Sequence, residues 1–388
     1  MAPDVLVKSN LSRKVSGKLI IPYESMATFF FRRSVEKAFQ LDEFPGGLSL
    51  NMHRAIDASP PYIMSAVDDV MYIVNAVIQK STSTSQRGVV DSVVLSISSL
   101  LGTDFIGMIQ RKMRDEYYPK SAVSGGFPPE DKIIAFTVLI NSLDMANEYL
   151  GRIVSGLTGQ SDEASGVAAA AALKDSFPFK NDSTEVISRL RSLNATFTSK
   201  STELLNEGLQ VLFNQVIKPR LRPVLTDTFR DVDYTLSEDE LADIAAQNDE
   251  DEEEVLDQVH RRFEHGWDAL MKPIMRLMTP RTFNTVLDLT ARYLARVLEK
   301  RVWSYAGRTT AYGAIRMDRD FSGIVGAISK GNYAVREVFG KTSQILMVAN
   351  MEDDEWEELS AAAEAGDDGM TWALNEEERR KARSLVID

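Results

Sequence analysis

Residues 282–303 constrain the fold more than any other stretch of the chain. Their apolar side chains recur at steps of three and four, and the charged side chains fall mostly between them, which is typical of a helix with one buried stripe. Thr279 and Pro280 come before the stretch and Gly307 follows it, so we predict a core helix of about six turns, roughly 30 Å long. The apolar positions are Phe283, Val286, Leu287, Leu294, Val297 and Leu298.

The same periodicity recurs along most of the chain. No stretch shows the alternation of a strand followed by a hairpin turn. The sequence therefore predicts an all-α fold of consecutive helical bundles stacked into an elongated rod. The other predicted helices are residues 6–39 with an interruption at Pro22, 65–80, 89–118, 130–154, 184–217, 256–278, 320–330, 332–348 and 375–386.

Changes in composition suggest where the bundles separate. We predict a first bundle at 1–122, a second at 125–262 and a C-terminal bundle at 266–388, the first boundary lying in a run of Pro, Gly and Ser. Within the second bundle, residues 155–183 are rich in small side chains and residues 231–257 are acidic. Both are predicted to be mobile loops.

The composition argues against several classes of function. The net charge is −13, which disfavours nucleic-acid binding, and the absence of cysteine excludes disulfides and thiolate zinc sites. His260 and His265 lie about 140° apart on a helix, so they cannot share a metal. The carboxylate run 249–254 lacks the ligand pattern of a calcium loop. No phosphate loop, dinucleotide motif or nucleophile elbow is present, so we predict no catalytic, cofactor or metal site and no enzyme activity.

We also expect no membrane-spanning segment, because no window approaches the roughly 20 apolar residues that a span requires. Any membrane attachment would then be peripheral. In residues 23–43, Arg32, Arg33 and Lys37 alternate with apolar side chains. This pattern favours a packed helix with a solvated face, and the alternative is a contact with anionic lipid or a partner. The apolar residues are Met26, Phe29, Phe30, Val35 and Phe39.

Several stretches resemble, in order, the C-terminal half of the subunit 4 family of the conserved oligomeric Golgi complex, a multisubunit tethering complex. The likeness covers nearly the whole chain and is clearest near its C-terminus. The stretches are FFFRRSVEKAFQLDE, VDDVMYIV, FNQVIKPRLRPVL, YAVREVFGKTSQILMVANM and MTWALNEEERRKARSLVID.

The resemblance implies a peripheral protein on the cytosolic face of the Golgi membrane that acts in intra-Golgi retrograde transport without a cofactor. Its implied partners are the other complex subunits, SNAREs, a Sec1/Munc18-type protein and Rab GTPases. The chain departs from the family by lacking the N-terminal half and by its acidic and Ala-rich loops, so we expect a fragment. The alternatives are a related helical-rod tether, such as the exocyst or the endoplasmic-reticulum tether, and a peripheral module that binds anionic lipid.

Near the C-terminus the sequence offers candidate interaction residues. By the resemblance, Lys341 and Glu378 occupy positions where the family carries a basic and an acidic residue, and a contact between them would attach the last helix to its bundle. The alternative is that Lys341 is solvated and Glu378 only caps its own helix, for which Asn375 is the expected N-cap. Arg336, just before Lys341, is a further candidate for interaction.

Overall fold

The chain forms two compact units in this computed structural model, which describes residues 10–121, 126–159, 164–179, 181–248, 252–365 and 371–387. The N-terminal unit consists of Met1–Leu212 and Arg276–Thr282, and the C-terminal unit of Phe213–Met275 and Phe283–Asp388. Apart from one isolated parallel bridge between Thr309 and Val386, the regular structure of the described residues is helical. The all-α class is therefore confirmed.

The N-terminal unit is built around two long helices, α6 (Glu130–Thr158) and α8 (Asp182–Leu212), which pack along each other. Helix α2 (Ile21–Gln40) packs on α3 (Ser65–Thr82) and α4 (Arg87–Leu100), while α3 also packs on α6 and α4 on α8. Short π-helical turns separate the first helix from the second and the fourth from the fifth, and another follows the fifth helix. The elements are α1 (Leu11–Val15), a π-turn (Ser16–Ile20), α2 (Ile21–Gln40), α3 (Ser65–Thr82), α4 (Arg87–Leu100), a π-turn (Leu101–Phe105), α5 (Ile106–Arg111), a π-turn (Lys112–Glu116), α6 (Glu130–Thr158), α7 (Ala164–Ser176) and α8 (Asp182–Leu212).

The C-terminal unit contains the helix that the sequence singled out. It is α12 (Pro280–Trp303), in which Val286, Leu294 and Leu298 have no exposed surface. The elements are a π-turn (Phe213–Ile217), α9 (Lys218–Thr228), α10 (Glu238–Asn248), α11 (Glu252–Leu277), α12 (Pro280–Trp303), α13 (Ala311–Ile328), a 3₁₀ helix (Tyr333–Phe339), α14 (Gly340–Ala349), α15 (Asp353–Ala365) and α16 (Glu376–Arg383). The last residues of α11 and the first of α12, within Arg276–Thr282, belong to the N-terminal unit.

Both predicted mobile loops contain helix, so the prediction of loops was wrong for most of their described residues. Helix α7 lies in the Ala-rich stretch because alanine has the highest helix propensity. Helix α10 lies in the acidic stretch, where Ser237 and Glu240 form the reciprocal hydrogen bonds of a capping box. Residues 249–251 of the carboxylate run lie outside the described residues.

Pro22 does not interrupt the first helical stretch as predicted. It stands in the first turn of α2, where proline is tolerated because its fixed φ suits a helix. The backbone widens just before it, in the π-turn Ser16–Ile20. The helical path therefore continues through Pro22.

One described helical stretch, Arg87–Glu116, is long and apolar enough to cross a membrane by length and composition. Its most apolar window has a mean hydropathy of 1.7, contrary to the expectation that no such window exists, because Val, Leu and Ile outweigh the Ser, Gly and Asp residues among them. Half of that window is buried in the protein. Val90 and Ile97 are fully buried in α4, which packs on α8, so the composition is that of a core helix.

The two units do not coincide with the three predicted bundles. The predicted boundary at residues 122–125 falls inside the N-terminal unit, and the C-terminal unit combines residues from the second and third predicted bundles. The division into three bundles and their stacking into a rod remain predictions.

Helix α6 carries buried polar side chains that hold connections of the N-terminal unit. The Asn141 amide donates to the carbonyls of Tyr62 (3.1 Å) and Leu277 (2.7 Å), and its oxygen accepts from the Thr279 N–H (3.1 Å). The Ser142 hydroxyl accepts from the N–H of Met64 at 3.0 Å. Because unpaired buried main-chain groups are costly, these bonds fix two irregular segments against α6.

In the C-terminal unit, Tyr234 attaches the connection after α9 to helix α13. Its fully buried hydroxyl donates to the Asp320 carboxylate at 2.7 Å. Arg316, also on α13, donates to the carbonyl of Asp233 at 3.2 Å. Burial raises the pKa of Asp320 to about 6, although Tyr234 and Arg316 favour the ionised form.

Gly313 permits the close approach of this connection to α13. A Cβ at Gly313 would lie 1.9 Å from the carbonyl oxygen of Tyr234. The Gly313 N–H donates to the side chain of the N-cap Thr310 at 3.0 Å, which ties the first turn of the helix in place. A side chain at position 313 would therefore have to displace main chain.

We expect Gly313→Ala to lower the free energy of unfolding of the C-terminal unit by more than about 2 kcal/mol, through overpacking against a backbone carbonyl. The measurement is urea unfolding followed by tryptophan fluorescence, because all four tryptophans of the chain lie in this unit. Gly326→Ala in the same helix is the matched control, since a Cβ there meets nothing within 4 Å. It should be neutral or stabilising within about 1 kcal/mol. Equal effects of the two substitutions would contradict this account.

Asp320 predicts a pH dependence of stability. Between the usual carboxyl pKa near 4 and about 6, folded Asp320 holds a proton that the unfolded chain releases. The free energy of unfolding that this bound proton adds is thus fully present below pH 4. It is lost as the pH rises through 6, by roughly 2–3 kcal/mol in total. Asp320→Asn keeps an acceptor for Tyr234 but has no proton to lose.

We therefore expect Asp320→Asn to gain stability relative to the native sequence as the pH rises from about 4 to 7. Urea titrations at several pH values measure the difference in the free energy of unfolding between the two proteins. The contributions of the other carboxylates are the same in both proteins and cancel in this difference. A difference between the two proteins that stays constant over this range would show that Asp320 does not titrate there.

Candidate interaction surface around the terminal helix

Helix α16 is specified by its own sequence, as predicted. The Asn375 side chain accepts from the N–H of Glu378 at 2.8 Å, and the Glu378 carboxylate accepts from the N–H of Asn375 at 2.9 Å. These two bonds form the expected capping box. Three glutamates occupy the first turn and three basic residues the last, which suits the helix dipole.

The structure also brings Lys341 and Glu378 together. The Lys341 Nζ on α14 lies 2.7 Å from the Glu378 Oε1. Glu378 thus caps its helix with one oxygen and binds Lys341 with the other, so both of the alternatives considered for it occur at once. The hydrogen bonds from Lys341 and from the Asn375 N–H lower the pKa of Glu378, and the bond to Glu378 raises the pKa of Lys341.

The ion pair is only partly shielded from water. The exposed fractions of the two side chains are 42% for Lys341 and 27% for Glu378. Solvent screens pairs of this kind, so we expect a contribution of about 0.2–1 kcal/mol. The ion pair therefore adds little to the stability of the unit, and its main effect is on the position of α16.

Gln344, which the sequence did not single out, makes more contacts with the segment before α16 than Lys341 does. Its Nε2 donates to the Thr371 carbonyl at 2.9 Å. Its Oε1 accepts from the N–H groups of Ala373 (2.8 Å) and Leu374 (3.3 Å). The one available signal was its position three residues after Lys341, which places both side chains on one face of α14.

The end of the chain is attached by main-chain bonds. The Gly307 N–H donates to the Leu385 carbonyl at 3.1 Å, and the Ile387 N–H donates to the Thr309 carbonyl at 2.9 Å. Leu385 is fully buried. The predicted last helix, 375–386, therefore ends at Arg383, because residues 385–387 pair with the segment after α12 instead.

Basic side chains of α16 add contacts to two further elements. Arg383 donates to the Met351 carbonyl and to the Asp353 carboxylate at the start of α15. The Lys381 ammonium lies 4.5 Å from the centre of the Trp303 ring at the end of α12. We call residues 371–387, with these attachments, the terminal clamp.

The other candidate residues lie elsewhere. Arg336 is exposed on the 3₁₀ helix, and its guanidinium stands 6.0 Å from the centre of the Tyr333 ring. Arg32, Arg33 and Lys37 are exposed on α2 of the N-terminal unit, where Arg33 pairs with its neighbour on the helix, Glu36, at 3.0 Å. The roles of these residues in interaction remain predictions.

The packed face of α2 differs from the one that the sequence suggested. Phe31, Val35 and Ala38 are buried, whereas Met26, Phe29 and Phe30 are each more than half exposed. Phe39 is half-buried. The expectation that the apolar side chains of this stretch pack inward is therefore right for Val35 and wrong for Met26, Phe29 and Phe30.

Across the described ranges, no group of three or more His, Asp or Glu side chains is placed to hold a metal ion. The His260 ring lies near Asp257 (3.6 Å) and Glu264 (4.0 Å) on its own helix.

Comparison with known proteins decides the family. A sequence model of the conserved oligomeric Golgi complex subunit 4, C-terminal region, matches residues 136–381, and one of the COG4 transport protein, middle alpha-helical bundle, matches residues 1–113. The chain belongs to the subunit 4 family of the conserved oligomeric Golgi complex. The resemblance seen in the sequence is thereby confirmed, against the alternative of an exocyst or endoplasmic-reticulum tether.

Curated relatives share this assignment. The chain is 27% identical over 376 residues to conserved oligomeric Golgi complex subunit 4 of Arabidopsis thaliana, covering 94% of this chain and 44% of that protein. It is 24% identical to the Saccharomyces cerevisiae protein (67% and 31%) and 23% identical to the Bos taurus protein (99% and 48%). The chain thus spans less than half the length of these family members.

A solved structure is also similar in part. The crystal structure of the C-terminal domain of the exocyst subunit Sec6p gives a TM-score of 0.48 at 11% identity, covering 97% of this chain and 86% of that one.

We expect Lys341→Glu to lower the free energy of unfolding of the C-terminal unit by about 1 kcal/mol, because it places two carboxylates side by side. Adding Glu378→Lys restores an ion pair but removes the capping carboxylate, so recovery should be partial. Arg336→Glu is the matched control: it makes the same change of charge away from Glu378 and should change stability by less than about 0.5 kcal/mol. Urea unfolding followed by tryptophan fluorescence measures all of these variants. The same loss in Lys341→Glu and Arg336→Glu would refute a specific pairing.

Proposed function

We propose that this chain is a non-catalytic part of a vesicle-tethering subunit that acts in intra-Golgi retrograde transport. The observation that carries the proposal is the match of two family regions, in order, to residues 1–113 and 136–381. Since the family is that of a complex subunit, the first partners are the other subunits of the conserved oligomeric Golgi complex.

The proposed mechanism is geometric and requires no covalent chemistry. A helical scaffold that contacts several partners at once raises their effective concentration, so weak contacts add up to a firm attachment. We include among these partners SNAREs, a Sec1/Munc18-type protein and Rab GTPases. The chain would do this as a peripheral protein on the cytosolic face of the Golgi membrane.

The terminal clamp has a definite role in this proposal. It fixes α16, whose exposed face carries charges of both signs, against α14 and the end of α12. A fixed charged face suits the rim of a protein–protein interface, where charges steer association and set orientation. Loss of the clamp would then weaken partner binding even where the C-terminal unit stays folded.

The experiment is co-purification of the tagged chain with the other subunits of the complex, expressed together with it. We expect the native chain to recover subunits in fixed proportion, and Gly313→Ala, which disrupts the C-terminal unit, to recover fewer. Lys341→Glu, which breaks the ion pair of the terminal clamp, should recover fewer subunits than the native chain. If folded chain recovers none of the subunits, the proposed function is wrong for this part of the protein.

A further inference from the structure

Helix α2 has a second ordered face besides its buried one. Tyr23, Met26, Phe30, Arg33 and Lys37 follow one another at steps of three and four, which is the spacing of a coiled-coil seam. Met26 is 57% exposed and Phe30 61% exposed. The buried stripe of Phe31, Val35 and Ala38 faces the unit, so these positions form a separate line along the helix. We call it the α2 seam.

The α2 seam borders a groove. Its residues Tyr23, Met26 and Phe30, together with Ala27, line a depression of about 200 Å³ whose other wall is Val77 and Lys80 of α3. The Tyr23 hydroxyl reaches the Lys80 carbonyl across the end of this groove, at 3.5 Å. A groove between the side chains of two packed helices is the shape that receives the apolar residues of a third helix.

Charge at the seam opposes that of the rest of the chain. Residues 10–40 contain six Lys and Arg against two Glu, whereas the whole chain carries a net charge of −13. Arg33 and Lys37 continue the seam beyond Phe30, and Lys80 stands on the opposite wall. A partner that pairs its apolar residues with Met26 and Phe30 would gain from acidic residues along its flanks.

The geometry favours a helix over a lipid surface. The apolar side chains border a concave groove and keep helical spacing, whereas a bilayer requires a convex apolar face. Glu36, which pairs with Arg33, also lies beside the seam and weakens attraction to anionic headgroups. A partner helix can place its own residues around Glu36, and a bilayer cannot.

We propose that the α2 seam and its groove bind an amphipathic helix of a partner protein whose apolar residues fill the groove and whose flanks are acidic. The inference goes beyond the proposed function and does not depend on it. It names a surface in the N-terminal unit and the kind of segment that occupies it.

The direct test uses synthetic helical peptides of about three heptads with leucine at the seam positions. One peptide carries glutamate on its flanks and the other carries lysine. Fluorescence anisotropy measures their binding to the chain at low and high salt. We expect the acidic peptide to bind at least about tenfold more tightly than the basic one, with the difference shrinking as salt screens the charges.

Two variants locate the site and its charge. Met26→Glu with Phe30→Glu should weaken the acidic peptide by about tenfold or more. Arg33→Glu with Lys37→Glu should reverse the preference, so that the basic peptide binds better. Leu95→Glu is the matched control, because Leu95 is an equally exposed apolar residue (59%) on another helix of the same unit, and it should leave binding unchanged. All of these substitutions are at exposed positions, so circular dichroism should remain that of the native chain.

Other occupants give different results. Sedimentation with phosphatidylserine and phosphatidylcholine vesicles that is abolished by the Met26 and Phe30 substitutions, without peptide binding, would assign the seam to a membrane. Self-association of the chain that these substitutions abolish, again without peptide binding, would assign it to a second copy. Equal binding of the two peptides, or binding of neither, overturns the proposal.

Co-purification with the other complex subunits separates this inference from the proposed function. If the chain recovers subunits and the Met26 and Phe30 substitutions reduce that recovery while Leu95→Glu does not, one of those subunits supplies the helix. Recovery that is unchanged by the seam substitutions leaves the proposed function standing and excludes the subunits as the source of the helix. The peptide assay decides the chemistry of the seam in either case.

Discussion

Irregular connections in a helical protein must find partners for their main-chain N–H and C=O groups, and here side chains of the helices and of their caps supply them. Asn141 does so for residues 62 and 277–279 in the N-terminal unit. Thr310 and Arg316 do so for residues 233–236 in the C-terminal unit. Gln344 does so for residues 371–374. The apolar stripes determine which helices pack, while these polar side chains determine where the connections between them run.

This difference between apolar stripes and polar contacts explains which features the sequence predicts. Apolar periodicity is local, so residues 65–80 and 282–303 were recognised as helices close to their observed bounds, Ser65–Thr82 and Pro280–Trp303. Composition alone does not reveal α7 and α10, because helix propensity and capping decide them. The Ser237 to Glu240 spacing is the local signal of α10.

Long-range pairing could not be read in the same way. Gln344 bonds residues about 30 positions later whose main chain follows no regular pattern, and nothing in the sequence indicates that geometry. Lys341 and Glu378 were paired only through resemblance to a family. The inclusion of residues 276–282 in the N-terminal unit likewise depends on contacts with α6, more than 130 positions earlier. On α2, periodicity identified the helix but could not tell the buried stripe from the α2 seam, because both keep helical spacing.

The terminal clamp has a consequence for sequence divergence within the family. Most of its bonds reach main-chain atoms: Gln344 to Thr371, Ala373 and Leu374, Gly307 to Leu385, and Ile387 to Thr309. Replacing side chains in residues 371–387 leaves such bonds in place as long as the backbone follows the same path. Relatives that share only 22–27% of their residues with this chain can therefore keep the same attachment of the last helix. Selection at this site would then act more strongly on the position of Gln344 than on the segment that it holds.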